Sequence, residues 1–367
     1  MLFSSPPLTS PKVSLLRAFS GSAWGIVGEL GGPVRSAIGS GIFSRVSSHW
    51  RKIVFGTLIA SSMFAAHAFD LQGHRGARGL LPENTLAGFD RTLDIGVTTL
   101  ELDIAITADG VPVIHHDAYL NPAFTRDAQG RWLQGRGPLI RSLTLAQLQT
   151  YDVGRLDPGS AYARDFPDQE ARDGERVPSL AALFERVKAR GADQVRFAIE
   201  TKIHPDRPEE SPAVEPFVDA VLAVIRTAGM TQRVRLISFD WRTLRRVREL
   251  EPAIETTCIT TENAQRTNAR HPVMMLGMAR DAYPSVAHMA KAAGCAAWSP
   301  NYQSLNIDRV RAARALGLQV LPWTVNEAAD MDQLIAWGVD GIVTDYPDRL
   351  RTALLRAGRP VPATGAK

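Results

Sequence analysis

From Phe69 onward, short apolar runs alternate with stretches whose apolar residues recur every three to four positions. The short runs predict strands over 69–74, 98–105, 195–201, 233–239, 255–260, 296–300, 318–324 and 339–344. The periodic stretches predict helices over 85–94, 213–228, 241–250, 281–293, 306–316, 327–336 and 347–356. A strand followed by a helix, repeated along the chain, implies parallel strands joined by crossover helices. Eight strands in the 299 residues of 69–367 suit an α/β fold of the (β/α)8 TIM barrel type, which takes roughly 250 residues. A doubly wound open sheet is the alternative. No Gly-x-Gly-x-x-Gly follows the first strand, which counts against its dinucleotide-binding version.

One stretch breaks the alternation. Residues 118–176 are polar and rich in Gly, Asp and Arg, with one helical piece near 144–151. They read as an insertion on the barrel rim, functional or decorative. Val177-Pro178-Ser179 then opens a helix over 179–190, with Ser179 as its cap. Neither an internal repeat nor a second hydrophobic core is expected.

The first 68 residues do not belong to this pattern. His49-Trp50-Arg51-Lys52 precedes an apolar run from Ile53 to Ala66, and Ala66-His67-Ala68 closes it. A basic start, an apolar middle and an Ala-x-Ala end are the parts of a secretory signal peptide. The run is shorter than the ~20 residues that span a bilayer; a short anchor or a buried helix is the other reading. The expectation is an exported protein, periplasmic or secreted. Residues 1–45 carry Ser, Gly and Pro without sustained periodicity, so the leader is expected to start near Val46, with the upstream stretch a misassigned extension that N-terminal sequencing of the precursor would test.

The formal charge of +4 resides in this leader region. Lys12, Arg17, Arg35, Arg45, Arg51 and Lys52 face only Glu29 there, which leaves 36 basic and 37 acidic residues in 69–367. A body so balanced implies no nucleic-acid partner. The Arg-rich helix with Arg242, Arg245, Arg246 and Arg248 reads as a solvated face. The two cysteines, Cys258 and Cys295, read as small apolar fillers near strands. An oxidising compartment would also allow one bridge between them.

Chemistry concentrates at the predicted strand ends. The first strand closes on Gly73-His74-Arg75-Gly76, where flanking glycines permit a sharp turn. Pro82-Glu83-Asn84-Thr85 follows, with Asn84 placed to cap the first helix. On the second strand Glu101 and Asp103 are two residues apart and share a face. Two carboxylates facing the interior of an apolar barrel need a cation or protons; paired surface acids are the bland alternative. After Val111-Pro112-Val113-Ile114 comes His115-His116-Asp117, and a later strand carries Glu200 and Lys202 on one face. Carboxylate oxygens suit one hard divalent cation such as Ca²⁺ or Mg²⁺. Arg and Lys bind phosphate, and imidazoles move protons near neutral pH. That combination describes phosphoester cleavage.

His74-Arg75-Gly76, Pro82-Glu83-Asn84-Thr85, Glu101-Leu102-Asp103, Val111-Pro112-Val113, His116-Asp117 and Glu200-Thr201-Lys202 resemble, in order, the signature of the glycerophosphodiester phosphodiesterase family. Pro322-Trp323-Thr324-Val325-Asn326 and Thr344-Asp345-Tyr346-Pro347 add weaker matches, so the resemblance covers 69–350. It implies that Glu101, Asp103 and Glu200 ligate the metal, that His74 and His116 are the acid/base pair, and that Arg75 and Lys202 hold the phosphate. The products implied are glycerol 3-phosphate and an alcohol. Attack by water and attack by the glycerol's own 2-hydroxyl both remain open. Trp323 packs beside the substrate or is an ordinary barrel aromatic. His115 is read as structural, and His204 reaches the rim or is an ordinary loop histidine. Glu83 supports the metal shell or the first helix, and Asp117 the phosphate site or a turn. The expected partner is a small-molecule diester, with no stable membrane span in the mature chain. Rival readings are a phospholipase-D-like enzyme of the sphingomyelinase type, a non-catalytic phosphodiester-binding protein, and a structural barrel with accidental matches.

Overall fold

The computed structural model describes residues 68–262 and 267–365. The predicted leader run at 53–66 and everything upstream lie outside the described residues. The strands are β1 (Asp70–Gly73), β2 (Thr99–Ile106), β3 (Pro112–Ile114), β4 (Arg196–Thr201), β5 (Val234–Ser238), β6 (Glu255–Thr260), β7 (Ala297–Pro300), β8 (Gln319–Val320) and β9 (Gly341–Thr344). Eight of them run side by side and parallel in the order β8-β7-β6-β5-β4-β2-β1-β9. Between β8 and β9 the Asp340 N–H donates to Val320 O and the Val343 N–H to Pro322 O, each at 3.0 Å. The result is a nearly closed (β/α)8 barrel, as the strand–helix alternation predicts.

The helices are α1 (Leu86–Ile95), α2 (Leu145–Leu148), α3 (Ala161–Asp165), α4 (Leu180–Ala189), α5 (Val214–Thr227), α6 (Trp241–Leu250), α7 (Val286–Ala292), α8 (Ile307–Ala315), α9 (Ala328–Trp337) and α10 (Pro347–Arg356). Most agree with the predicted spans to within a residue or two. α7 instead begins only at Val286, because Pro284 disfavours helical backbone at Tyr283 and Ser285 then caps the new start. β8 is likewise shorter than the predicted 318–324, since Pro322 has no N–H to extend a ladder.

Side-chain alternation divides each strand between two environments. On β2, Leu100, Leu102 and Ile104 pack outward into the main core with the helices. Glu101 and Asp103 therefore face the barrel interior. Ala198, Ile237 and Ile259 form a small apolar cluster with Phe239 and Trp323.

The sequence reading needs correction at three places. The Pro112–Ile114 segment is a strand, antiparallel to the end of β2. The 118–176 insertion carries a core of its own, in which Leu120, Phe124, Ile140, Leu148 and Val153 pack with Ala105, Val113 and Val177. Its apolar residues are too widely spaced for a periodic signal. The cap of α1 is Thr85, whose Oγ1 accepts from the Gly88 N–H at 3.0 Å; Asn84 is turned elsewhere. Cys258 on β6 and Cys295 before β7 are joined in a disulfide, Cα–Cα 5.9 Å.

Candidate active site

Register brings the acids together. In the β2–β4 ladder Asp103 lies opposite Glu200, with Glu101 two residues earlier on the same face of β2. Glu101, Asp103 and Glu200 are buried, and one carboxylate oxygen of each lies within 4.8 Å of the others. Lys202, two residues past Glu200, points its Nζ at the cluster, 2.8 Å from Glu200 Oε1 and 3.4 Å from Asp103 Oδ1. That Asp103 oxygen is buried and accepts no hydrogen bond.

The loop after β1 closes the other side. Arg75 and Gly76 both have positive φ, 51° and 84°. This left-handed pair, strained at Arg75, aims the Arg75 N–H at Glu101 Oε2, 2.8 Å away. The Arg75 guanidinium donates to Glu83 Oε1 at 2.9 Å and lies 3.3 Å from Asp103 Oδ2. Asn84, also at positive φ, donates to the same Asp103 oxygen at 3.0 Å. Its task is to orient a carboxylate.

The two imidazoles flank the acids. His74 Nδ1 sits 2.6 Å from Asp345 Oδ1, and its Nε2 is 3.9 Å from Glu101 Oε2. His116 Nδ1 is 2.8 Å from Asp117 Oδ1. In each case a carboxylate on Nδ1 favours the tautomer that leaves Nε2 bare. Trp323 donates from Nε1 to Ser299 O at 3.0 Å and meets Phe239 edge to face at 5.3 Å. It lines a cavity of about 160 Å³ together with His74, Arg75, Glu101, His116, Glu200 and Lys202. All eight residues singled out as catalytic, phosphate-binding, substrate-facing or metal-binding thus gather at the C-terminal mouth of the barrel.

The electrostatics follow from this crowding. Burial, then the charges of Asp103 and Glu200, push Glu101 well above the usual carboxylate range. Glu200 is also raised, by burial and Asp103 against the pull of Lys202. At Asp103 burial acts upward but Lys202 and Arg75 outweigh it and hold the carboxyl low. His74 is pushed down to about 4, by burial and then by Arg78, with Asp345 opposing. The His116 side chain is 30% exposed, so solvent tempers its shift; the direction is down, from burial and then Arg75 and Lys202.

Three participants escaped the sequence reading. Arg78 donates to both oxygens of Asp345, at 2.9 and 3.1 Å, and to the Tyr162 hydroxyl at 3.0 Å. Asp345 matched a motif without a role; here it holds His74. Tyr162, from α3 in the insertion, donates its hydroxyl proton to Glu83, the carboxylate behind Arg75. No local signal couples residues 79 positions apart. His115 is structural as expected, with Nδ1 2.9 Å from the Asp117 carbonyl and its ring against Phe124.

A barrel whose mouth gathers three buried carboxylates, two imidazoles and two cations has the makeup of a phosphate-ester-handling site. Comparison with known proteins agrees. The sequence model of the glycerophosphoryl diester phosphodiesterase family matches residues 74–349, and the chain belongs to that family. A glycerophosphodiester phosphodiesterase of Bacillus subtilis is 31% identical over 280 residues, 75% of this chain and 83% of that protein. A solved structure from Silicibacter pomeroyi, named for the same family, is 38% identical with a TM-score of 0.73, covering 80% of this chain and 96% of that one. An Oleispira antarctica phosphodiesterase solved with its product sn-glycerol-3-phosphate shares the fold at a TM-score of 0.54 and 23% identity, covering 77% of this chain and 95% of that one.

Proposed function

We propose that this protein hydrolyses glycerophosphodiesters to glycerol 3-phosphate and an alcohol, using one divalent cation, Ca²⁺ or Mg²⁺, and two histidines. The observation that carries this reading is the meeting of Glu101, Asp103 and Glu200 within 4.8 Å, flanked by His74 and His116. These donors fit a hard dication: all are oxygens, two of the three carboxyls are raised by burial and mutual repulsion, and a buried Asp103 oxygen lacks a hydrogen bond. When bound there, the cation would supply Lewis-acid polarisation of a phosphoryl oxygen.

The chain's own residues do the rest. Arg75 and Lys202 neutralise the diester's charge and fix its oxygens. His74 and His116, each steadied through Nδ1, offer Nε2 to the reacting atoms. One takes the proton of the attacking water or glycerol 2-hydroxyl, and the other delivers a proton to the departing alkoxide; after 2-hydroxyl attack, water opens the cyclic phosphate to glycerol 3-phosphate. The bound phosphate's negative charge favours the protonated form of the imidazole beside it. Trp323 offers the substrate an apolar wall over the Ala198, Ile237 and Ile259 cluster.

Export to an oxidising compartment is part of the proposal. The leader pattern at 49–68 and the Cys258–Cys295 bridge support it. Among the described residues no helix is long and apolar enough to cross a membrane.

The test is release of glycerol 3-phosphate from a panel of glycerophosphodiesters by the purified protein, with and without chelator, beside intact sphingomyelin. Turnover of the diesters that is lost in chelator and restored by Ca²⁺ or Mg²⁺ is expected. Glu200→Gln should abolish metal-dependent turnover with the fold intact. Activity that survives thorough metal removal, or release from sphingomyelin instead, would overturn the reading.

A further inference from the structure

The insertion meets the mouth of the barrel at two walls. At one, Arg136 pairs with Glu210 beside a wider cavity of about 560 Å³, which opens next to the first and shares His116, Glu200, Lys202 and Phe239 with it. At the other, α3 and the residues after it grip the loop that follows β1. The Arg78 guanidinium lies 4.7 Å from the centre of the Phe166 ring. The Gln169 side-chain amide donates to the Arg78 carbonyl at 2.7 Å, and the Glu170 N–H to the Leu80 carbonyl at 2.9 Å. These contacts hold the loop without any help from the Tyr162 hydroxyl.

That hydroxyl adds a different kind of link. It accepts from Arg78 Nη1 at 3.0 Å and donates its proton to Glu83 Oε2. Each of these neighbours leads to a side chain that meets the substrate. Arg78 holds both oxygens of Asp345, and Asp345 Oδ1 sits 2.6 Å from His74 Nδ1. Glu83 accepts from the Arg75 guanidinium at 2.9 Å. A chain of hydrogen bonds therefore runs from His74 through Asp345, Arg78, Tyr162 and Glu83 to Arg75. Tyr162 is the one member supplied by the insertion. Arg78 and Glu83 themselves stand 3.9 Å apart, beyond hydrogen-bonding reach, so the hydroxyl is what joins the two halves. His74, Arg75, Glu83 and Asp345 are buried, where hydrogen bonds in series orient one another.

Resting on the roles of His74 and Arg75 in the diesterase reading, we propose that Tyr162 and Arg78 are positioning residues. Through them the insertion holds the proton carrier and the phosphate-binding guanidinium in one mutual geometry. Turnover requires the imidazole and the phosphorus to be placed together, and a displacement of about 1 Å between such groups costs about 100-fold. Binding the diester depends on the charges of Arg75 and Lys202, which the hydroxyl does not supply. Its loss therefore acts on kcat more than on KM.

The test is steady-state kinetics of the full protein with glycerophosphocholine and glycerophosphoethanolamine in Ca²⁺ or Mg²⁺, reading glycerol 3-phosphate. Tyr162→Phe keeps the ring and the loop contacts, and kcat should fall about tenfold with KM changed less than about threefold. Arg78→Lys keeps the charge but not the fork that serves Asp345 and Tyr162 together, so it should lose kcat in the same way. The double variant of Tyr162→Phe and Asp345→Asn should lose at least about threefold less than the product of the two single losses, because members of one network do not act independently. Ile140→Val trims the insertion's core without removing a polar contact. It should unfold at a lower temperature while kcat stays within about twofold of wild type. An unchanged kcat in Tyr162→Phe or Arg78→Lys, single losses that simply multiply, or an equal loss in Ile140→Val each overturns the positioning role. A wild-type protein that releases no glycerol 3-phosphate from any diester overturns the diesterase reading instead.

Discussion

Glu101→Gln should make the protein more stable in chelator and less stable, relative to wild type, in divalent cation. Glu101 is buried, and burial together with Asp103 and Glu200 raises it well above its free value of 4.5. A group raised on folding adds stability fully present below the unfolded pKa and lost as pH rises through the folded one. At pH 7 the resulting penalty is bounded. Once the folded pKa exceeds 7 the carboxyl takes up a proton, so the loss stops at about 3.4 kcal/mol, at 1.36 kcal/mol for each pH unit above 4.5. One neighbouring charge at 4.8 Å already supplies about 3.5 kcal/mol at an effective dielectric near 20. The Arg75 charge offsets part of this, which leaves about 1–3 kcal/mol. Gln keeps an oxygen to accept from the Arg75 N–H, so the swap removes charge and little else. In cation the order reverses, because wild type gains about 4.1 kcal/mol at a thousandfold excess over Kd and the variant gains little. Urea unfolding at pH 7, with chelator and with Ca²⁺ or Mg²⁺, reads both effects, and at pH 4 the chelator difference should vanish. A variant less stable than wild type in chelator, with wild type indifferent to cations, would refute both the repulsion argument and the metal site.

Two further outcomes follow from the residues around His74. Asp345→Asn should lower kcat by about 10–100-fold with little change in KM, because it perturbs the imidazole tautomer and leaves Arg78 buried without its carboxylate. Steady-state kinetics checks this, and an unchanged kcat would remove Asp345 from the mechanism. The Asp345 carboxyl is held far below 3.8, since Arg78 and His74 outweigh burial. Its stabilisation is therefore complete above about pH 4 and lost as pH falls further, so the variant's acid-unfolding curve should be the flatter one below that point. Tyr162→Phe should destabilise the protein by about 1–3 kcal/mol, because the hydroxyl serves buried Glu83 and Arg78 at once; thermal unfolding within experimental error of wild type would contradict that.

How much of this was legible in the sequence depended on how local each relation was. The pairing of Glu101 with Asp103 is a two-residue relation on one strand, and alternation alone announces it. The turn at His74-Arg75-Gly76 is equally local. Glu200 is different: its approach to Asp103 is a consequence of β2–β4 register, which the strand pattern permits but does not specify. The family resemblance bridged that gap. Asn84 and Thr85 show the same limit in miniature, because both are good capping residues and only the tertiary demand of Asp103 decides between them.

The insertion was the least legible part and changes the picture most. Its polarity suggested an excursion, yet Leu120, Phe124, Ile140, Leu148 and Val153 give it a packed interior that rests on Ala105 and Val113 of the barrel. That footing delivers Tyr162 to Glu83 and Arg136 to Glu210. The first contact braces the carboxylate that holds Arg75; the second neutralises an acid in the wall of the wider cavity. A decorative loop would have no reason to satisfy buried charges at two separate walls of the mouth. Without these partners Glu83 keeps Arg75 and Glu210 keeps Arg207, so the loss at each wall is that of one buried polar contact, about 1–3 kcal/mol. The barrel's acids and the insertion's Tyr and Arg therefore constrain one another, and removing 118–176 should damage the site rather than merely uncover it.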